Sequence, residues 1–375
     1  MAYQSRALDL ACDPESGIPP LRLEPRKAPK VIFYGAFKGM GDLLNVAPVI
    51  VGELTAGSTV ILLIFPGFGL ENFARLIDFG PNALNLEIVD LPVSGRIADF
   101  KKFISRTSRL RPDIIWISPH VPREAASWKI PLLLWSMKKI FWRNAQLAGC
   151  TTEPLSALFD LRFPVSRDLS IMEREQRAYS MLGNPAVARP RHREVFIERI
   201  RKHRDEAPSF DLVIHPGANS ANRRWPYEHF AALVRLMPLR YKIAVLGLER
   251  DIDQARKMLP ADRGIQFLTG SLEQAVTVVA SARVLFAMDS GNLHFANFLD
   301  VPAVGLFGKS DPKNIVGSWG SVLPIYEQKF PCQPCGRATC NQPEVYCMNT
   351  IAPETVAKAL VRLLDANDDR LDREG

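Results

Sequence analysis

Three loops in this chain set glycine and a charged or small polar residue directly after an apolar run and directly before a helical pattern. The first is Phe37-Lys38-Gly39-Met40-Gly41-Asp42. Gly39 and Gly41 permit a tight turn with close backbone approach, Lys38 adds a cation, and Asp42 falls at the start of the helix. An Asp there either caps the helix or, facing a hydroxyl, serves as a general base. Gly39-Met40-Gly41 lacks the third glycine of a dinucleotide fingerprint, so that class of cofactor is not indicated.

The second loop, His215-Pro216-Gly217-Ala218-Asn219-Ser220-Ala221-Asn222-Arg223-Arg224-Trp225-Pro226, offers small polar groups, exposed backbone N–H groups and two permanent cations. Gly217, Ser220, Arg223 and Arg224 thus form a candidate anion cradle, the alternative being two arginines on a solvated loop. The third, Asp289-Ser290-Gly291-Asn292-Leu293-His294, again joins strand to helix. Ser290, Gly291 and Asn292 can aim N–H groups and the positive end of a helix dipole at a diphosphate. His294, one turn in, suits an orienting role better than acid catalysis. Gly247 and Glu249 end the intervening strand, where an acid can accept hydrogen bonds from a ribose.

Four of the six cysteines crowd into 332–347 as Cys332-x2-Cys335-x4-Cys340-x6-Cys347. With Pro331, Pro334 and Gly336 shaping a knuckle, the spacing can close a structural site for zinc or iron; the alternative is four reduced thiols. Such usage is not a secreted disulfide framework.

The elements that must hold these loops follow from periodicity. Short apolar runs at 30–36, 59–65, 86–89 and 113–118 alternate with helical patterns at 42–54, 71–79 and 97–110, which implies a parallel sheet with helices on both faces. A second series begins at residue 210, with strands at 211–215, 242–246, 265–268, 284–288 and 303–307 and helices at 227–237, 251–259, 272–281, 291–299 and 353–365. The chain therefore divides into a leader (1–29), a Rossmann-like domain (30–185), an Arg-rich linker (186–209), a second Rossmann-like domain (210–366) carrying the cysteine knuckle, and a tail (367–375). Two doubly wound α/β domains facing each other across a cleft turn the carboxyl ends of both sheets toward one site. At 375 residues, 47% hydrophobic and 23% charged, the chain can fill two such cores and is not disordered.

The segments KGMGDLLNVAPVI, HPGANSANRRWPYEHFAALV and FAMDSGNLHFANFLDVPAVGLFG resemble glycosyltransferase family 9, the bacterial heptosyltransferase family of GT-B architecture, over residues 30–364. The resemblance implies an inverting transferase moving a sugar, heptose from ADP-heptose, to a saccharide or lipid-linked acceptor of lipopolysaccharide-core type. It implies that Asp42 is the base, that Lys38, Gly39 and Gly41 belong to the acceptor loop, that Arg223 contacts the donor diphosphate, that Glu249 lies near the nucleoside, and that residues 289–294 hold the donor sugar and diphosphate. No Asp-x-Asp clamp stands at a corresponding loop, so no cofactor is expected in the chemistry itself. Rival expectations are another nucleotide sugar, a protein acceptor, or a binding protein that has lost turnover.

Charge bears on the acceptor. Residues 96–143 hold eleven Lys or Arg against three acids, a surplus of eight beside a whole-chain charge of +7. Trp128, Trp135 and Trp142 recur every seven residues among Ile130, Leu133, Leu134, Met137 and Ile140, so a helix there would carry an aromatic stripe beside Lys138, Lys139 and Arg143. That pattern suits an anionic acceptor and peripheral contact with the cytoplasmic face of an inner membrane, or else a core helix or oligomer contact. No run is long enough to span a bilayer and no signal peptide is evident, so a cytoplasmic location is expected. The aromatics lack the layout of stacking platforms, which argues against nucleic acid as a partner.

Overall fold

The computed structural model describes residues 31–37, 39–66, 77, 79, 82–92, 96–118, 128–166, 168–182, 209–316, 321–337 and 339–374. The expected leader and Lys38 lie outside this set, as do nearly all of the helix expected at 71–79 and of the linker at 186–209.

Two six-stranded parallel sheets organise the chain. The first contains β1 (Val31–Phe37), β2 (Thr59–Ile64), β3 (Leu86–Asp90), β4 (Ile114–Ile117), β5 (Gln146–Cys150) and β6 (Leu161–Phe163) in the order 3-2-1-4-5-6. The second repeats that order with β7 (Phe210–His215), β8 (Ile243–Leu246), β9 (Gln266–Leu268), β10 (Ala282–Met288), β11 (Ala303–Phe307) and β12 (Val322–Tyr326). Central strands such as β2 (TVILLI) and β4 (IIWI) are apolar throughout because helices cover both faces. In each sheet the order reverses beside its first strand, between β1 and β4 and between β7 and β10, which opens a crevice at the carboxyl ends.

Helices of the first half are α1 (Met40–Thr55), α2 (Ile97–Thr107), α3 (Lys129–Phe141) and α4 (Ile171–Ser180). Those of the second are α5 (Tyr227–Leu236), α6 (Glu249–Met258), α7 (Leu272–Ser281), α8 (Gly291–Leu299), the single turns α9 (Pro312–Ile315) and α10 (Tyr346–Asn349), and α11 (Pro353–Glu374). Capping boxes start α4 and α7, where Ser170 and Ser271 accept the N–H of Glu173 and Gln274 and those side chains return the bond. Helices α1 and α4 lie together on one face of the first sheet, joined by the buried Tyr179 hydroxyl donating to Glu53. On the other face α2 and α3 bury Phe103, Ile130, Leu134 and Met137. Helix α1 also meets α8, so one apolar cluster runs from Leu44 and Val46 to Leu293 and Phe295 and joins the halves.

The tryptophan stripe does not form one exposed face. Helix α3 ends at Phe141, and Trp142, with φ −126° and ψ 53°, turns inward. Trp142 is 4% exposed, packs edge-on to Phe33 at 4.8 Å and donates to the Thr107 carbonyl. The seven-residue spacing outlasts the helix that would align it. Residues expected as a tail instead continue α11 to Glu374.

Candidate functional site

The carboxyl edge of β1 delivers Gly39 as the N-cap of α1 and Asp42 at its third position. Asp42 Oδ2 accepts the Gly39 N–H at 3.0 Å, so Asp42 is a helix cap. Its Oδ1 has no hydrogen-bond partner among the described residues, which leaves one oxygen able to accept a proton. Cap and base are compatible readings of one carboxylate.

The first turn of α1 meets the first turn of α8. Met40 Cε would stand 3.3 Å from a Cβ at Gly291, and the His294 ring fills the space a Cβ at Gly41 would take. His294 is partly buried; desolvation holds its pKa below the ordinary imidazole value against the pull of Asp289 and Asp42. The ring is therefore neutral near pH 7.

Asp289, 4% exposed at the end of β10, accepts Ser310 Oγ at 2.8 Å and pairs with Arg223 Nε at 3.2 Å. Arg223 thereby reaches from the loop after β7 to the loop after β10, across the switch point of the second sheet. Arg224 points elsewhere, donating from Nε to the Ala218 carbonyl at 3.1 Å within its own loop. Ser220 Oγ and Ser290 Oγ are buried without a hydrogen-bond partner among the described residues. Ser290 is the N-cap of α8 yet makes no side-chain cap bond. Two orphaned hydroxyls beside helix N–H groups cost about 1–3 kcal/mol each unless a ligand oxygen joins them. Asn292 lies in the same first turn.

At β8 the sequence singled out Gly247 and Glu249. Gly247 donates its N–H to the Leu268 carbonyl and faces Asp251, whereas Glu249 is exposed on the first turn of α6. The buried acid is Asp251, whose Oδ2 would stand 2.9 Å from a Cβ at Gly217. It adjoins His215, whose Nδ1 lies 2.8 Å from the Leu246 carbonyl oxygen. Burial lowers the His215 pKa, so the neutral ring donates from Nδ1. Asp251 and Ser310 were missed from sequence. Ser310 sits in the post-strand loop Gly308-Lys309-Ser310, the same signal that found the others, while Asp251 looked like one acid among several on a polar helix.

The expected metal site is corrected. Among the described residues no three His, Cys, Asp or Glu side chains are grouped to hold an ion, and Cys332, Cys335, Cys340 and Cys347 are free thiols. Cys340 Sγ donates to the Glu344 carbonyl at 3.6 Å, while Cys347 Sγ turns to Gly308. Burial and the neighbouring thiols push the Cys347 pKa up to about 11. The segment is held instead by Gln333, which accepts the N–H groups of Lys329 and Phe330 and donates to the Gly308 carbonyl at 2.9 Å.

The profile of glycosyltransferase family 9 (heptosyltransferase) matches residues 172–346. The chain is 35% identical over 106 residues to lipopolysaccharide heptosyltransferase 2 of Salmonella typhimurium, covering 26% of this chain and 30% of that one. It is 27% identical over 231 residues to lipopolysaccharide heptosyltransferase 1 of Pseudomonas aeruginosa, covering 56% and 64%. The matches thus span less than two thirds of either relative. The solved E. coli heptosyltransferase WaaC with ADP superposes with a TM-score of 0.63 at 15% identity, over 89% of this chain and 99% of that one, a likeness of fold.

Proposed function

We propose that the chain, whose residues 172–346 match the profile of glycosyltransferase family 9 (heptosyltransferase), transfers a sugar, heptose from ADP-heptose, with inversion to a saccharide or lipid-linked acceptor of lipopolysaccharide-core type. The observation that carries this is the meeting of α1 and α8, which sets an acid of the first lobe against the anion-seeking groups of the second.

In this reading Asp42 Oδ1 takes the proton of the acceptor hydroxyl as its oxygen attacks C1 of the donor sugar. The bond from C1 to the diphosphate oxygen breaks on the opposite face, and the nucleotide leaves with that electron pair. Negative charge growing on the diphosphate meets the α8 N-terminus, Ser290 and Ser220, with Arg223 as the fixed cation. Asp289 and Ser310 keep Arg223 in place. Gly217, Gly247 and Asp251 lie where the nucleoside end would rest, with Glu249 at its rim. His294, uncharged, fills the joint between lobes and orients the approach.

A thermal-shift series with ADP, UDP and GDP tests the donor, followed by transfer from ADP-heptose to a deep-rough lipopolysaccharide acceptor. Stabilisation by ADP alone together with turnover is expected. Equal response to all three nucleotides, or none, refutes the donor assignment.

A further inference from the structure

We propose that Gln333, in the segment 328–337, is a positioning residue that sets Arg223 for an anion by way of the loop after β11, a role that rests on the diphosphate reading of the cradle given above. Gln333 is 5% exposed and its amide is engaged at both ends. Oε1 accepts the N–H groups of Lys329 at 3.2 Å and Phe330 at 3.1 Å, while Nε2 donates to the Gly308 carbonyl at 2.9 Å. Two donors on one side and an acceptor on the other fix the direction of the amide.

Neighbouring residues grip the same loop. Gly336 donates its N–H to the Lys309 carbonyl at 3.1 Å, and Lys309 Nζ donates to the Arg337 carbonyl at 3.0 Å. A Cβ at Gly308 would stand 2.7 Å from Met348 Sδ and 2.9 Å from Cys347 Sγ, so two sulfur atoms close on the start of the loop as well. The backbone after β11 is therefore held at Gly308 and Lys309 before it presents Ser310.

Ser310 passes that constraint on. Its Oγ donates to Asp289 Oδ2 at 2.8 Å, and the same carboxylate oxygen pairs with Arg223 Nε at 3.2 Å. A second connection leaves the segment at the Arg337 carbonyl, which also accepts Asn222 Nδ2 at 2.9 Å, and Asn222 directly precedes Arg223. Both connections end at Arg223, so bonds and backbone form a closed ring around the cation. Ser220 Oγ and Ser290 Oγ stay outside that ring, without a hydrogen-bond partner among the described residues. A free arginine side chain gives up conformational freedom when it meets an anion, whereas a guanidinium already held in place gives up little. Gln333 thus contributes to anion binding without touching the anion, as the outer support of a preorganised site.

The test is calorimetric titration of the full chain with inorganic pyrophosphate, which reads the cradle without a nucleoside. Gln333→Ala should weaken binding about tenfold, and so should Gln333→Met, which fills a similar volume and makes none of the bonds, so that a folded variant is at hand if the alanine chain does not fold. Ser310→Ala cuts the connection nearer to Arg223. Adding Gln333→Met to it should weaken binding by less than about twofold more, because both changes act along one path. A purely structural role for Gln333 would instead give losses that multiply. Multiplying losses, or wild-type affinity in Gln333→Met, overturn the positioning role and leave the transferase reading standing. Absence of pyrophosphate binding by the wild-type chain overturns both. Weakened, non-multiplying variants of a chain that transfers nothing from ADP-heptose support the positioning role and defeat the donor assignment alone.

Discussion

His294 lies so close to Gly41 that a Cβ at Gly41 would stand 2.6 Å from its Cδ2 and 2.7 Å from its Nε2. One residue opens α1 in the first lobe and the other sits in the first turn of α8 in the second, so the absent side chain is what lets the helices meet. Gly41→Ala must push the ring or the lobes apart. A loss of about 1–3 kcal/mol is expected from overpacking, with transfer falling more than stability because the site spans the joint. Denaturant unfolding and steady-state kinetics check this; Gly41→Ala with His294→Ala should recover stability but not rate.

Asp42→Asn separates the two uses of this carboxylate. The amide oxygen can still accept the Gly39 N–H, so the cap survives and the thermal midpoint stays near wild type. The proposed base is removed, and kcat should fall by roughly 10²–10⁴ with donor affinity unchanged. Asp42→Ala loses both, adding a stability cost of about 0.5–2 kcal/mol. Undiminished turnover in the Asn variant removes Asp42 from the mechanism.

Sequence reasoning found the repeated strand and helix alternation because central parallel strands are apolar on both faces and leave unbroken runs such as TVILLI. It missed β5, β6 and β12 for the converse reason. Gln146–Cys150 (QLAGC) contains Ala and Gly, which fit a strand poorly, while Leu161–Phe163 is only three residues long at an edge and Val322–Tyr326 is half exposed. Loops at the switch points were legible since glycine and small polar residues after a strand have few other uses. Asp251 was not, because its role comes from Gly217 and His215, more than thirty residues away in the chain. Cysteine spacing misled in the same way: separations along the chain do not fix the directions of the Sγ atoms.

Arg223 and Asp289 form a partly buried pair, at 22% and 6% side-chain exposure, that holds the candidate phosphate cation. Arg223→Ala leaves Asp289 with Ser310 and no counter-charge, and should cost about 1–3 kcal/mol, discounted for solvent reaching the guanidinium. Asp289→Asn in addition should restore most of that stability. Nucleotide-induced stabilisation should remain lost in the double variant, as the cation is still missing. If the double variant regains it, Arg223 acts only on the fold.

Glu175 offers a test by pH. Its Oε1 accepts Trp116 Nε1–H at 2.8 Å, its Oε2 is buried without a partner among the described residues, and burial raises its pKa well above the usual carboxylate value. A carboxyl raised on folding supports the native state fully below its unfolded pKa of about 4.3, and that support is lost as pH rises toward the folded value. Glu175→Gln keeps the bond from Trp116 and cannot ionise, so it should be more stable than wild type at pH 7–8. His215 and His294, both lowered by burial, act in the opposite sense, losing stability as pH falls below about 6.5. They are present in both proteins and cancel in the difference. The gap in thermal midpoint between variant and wild type should therefore narrow steadily from pH 8 to pH 5; a gap independent of pH would mean that Glu175 keeps an ordinary pKa despite its burial.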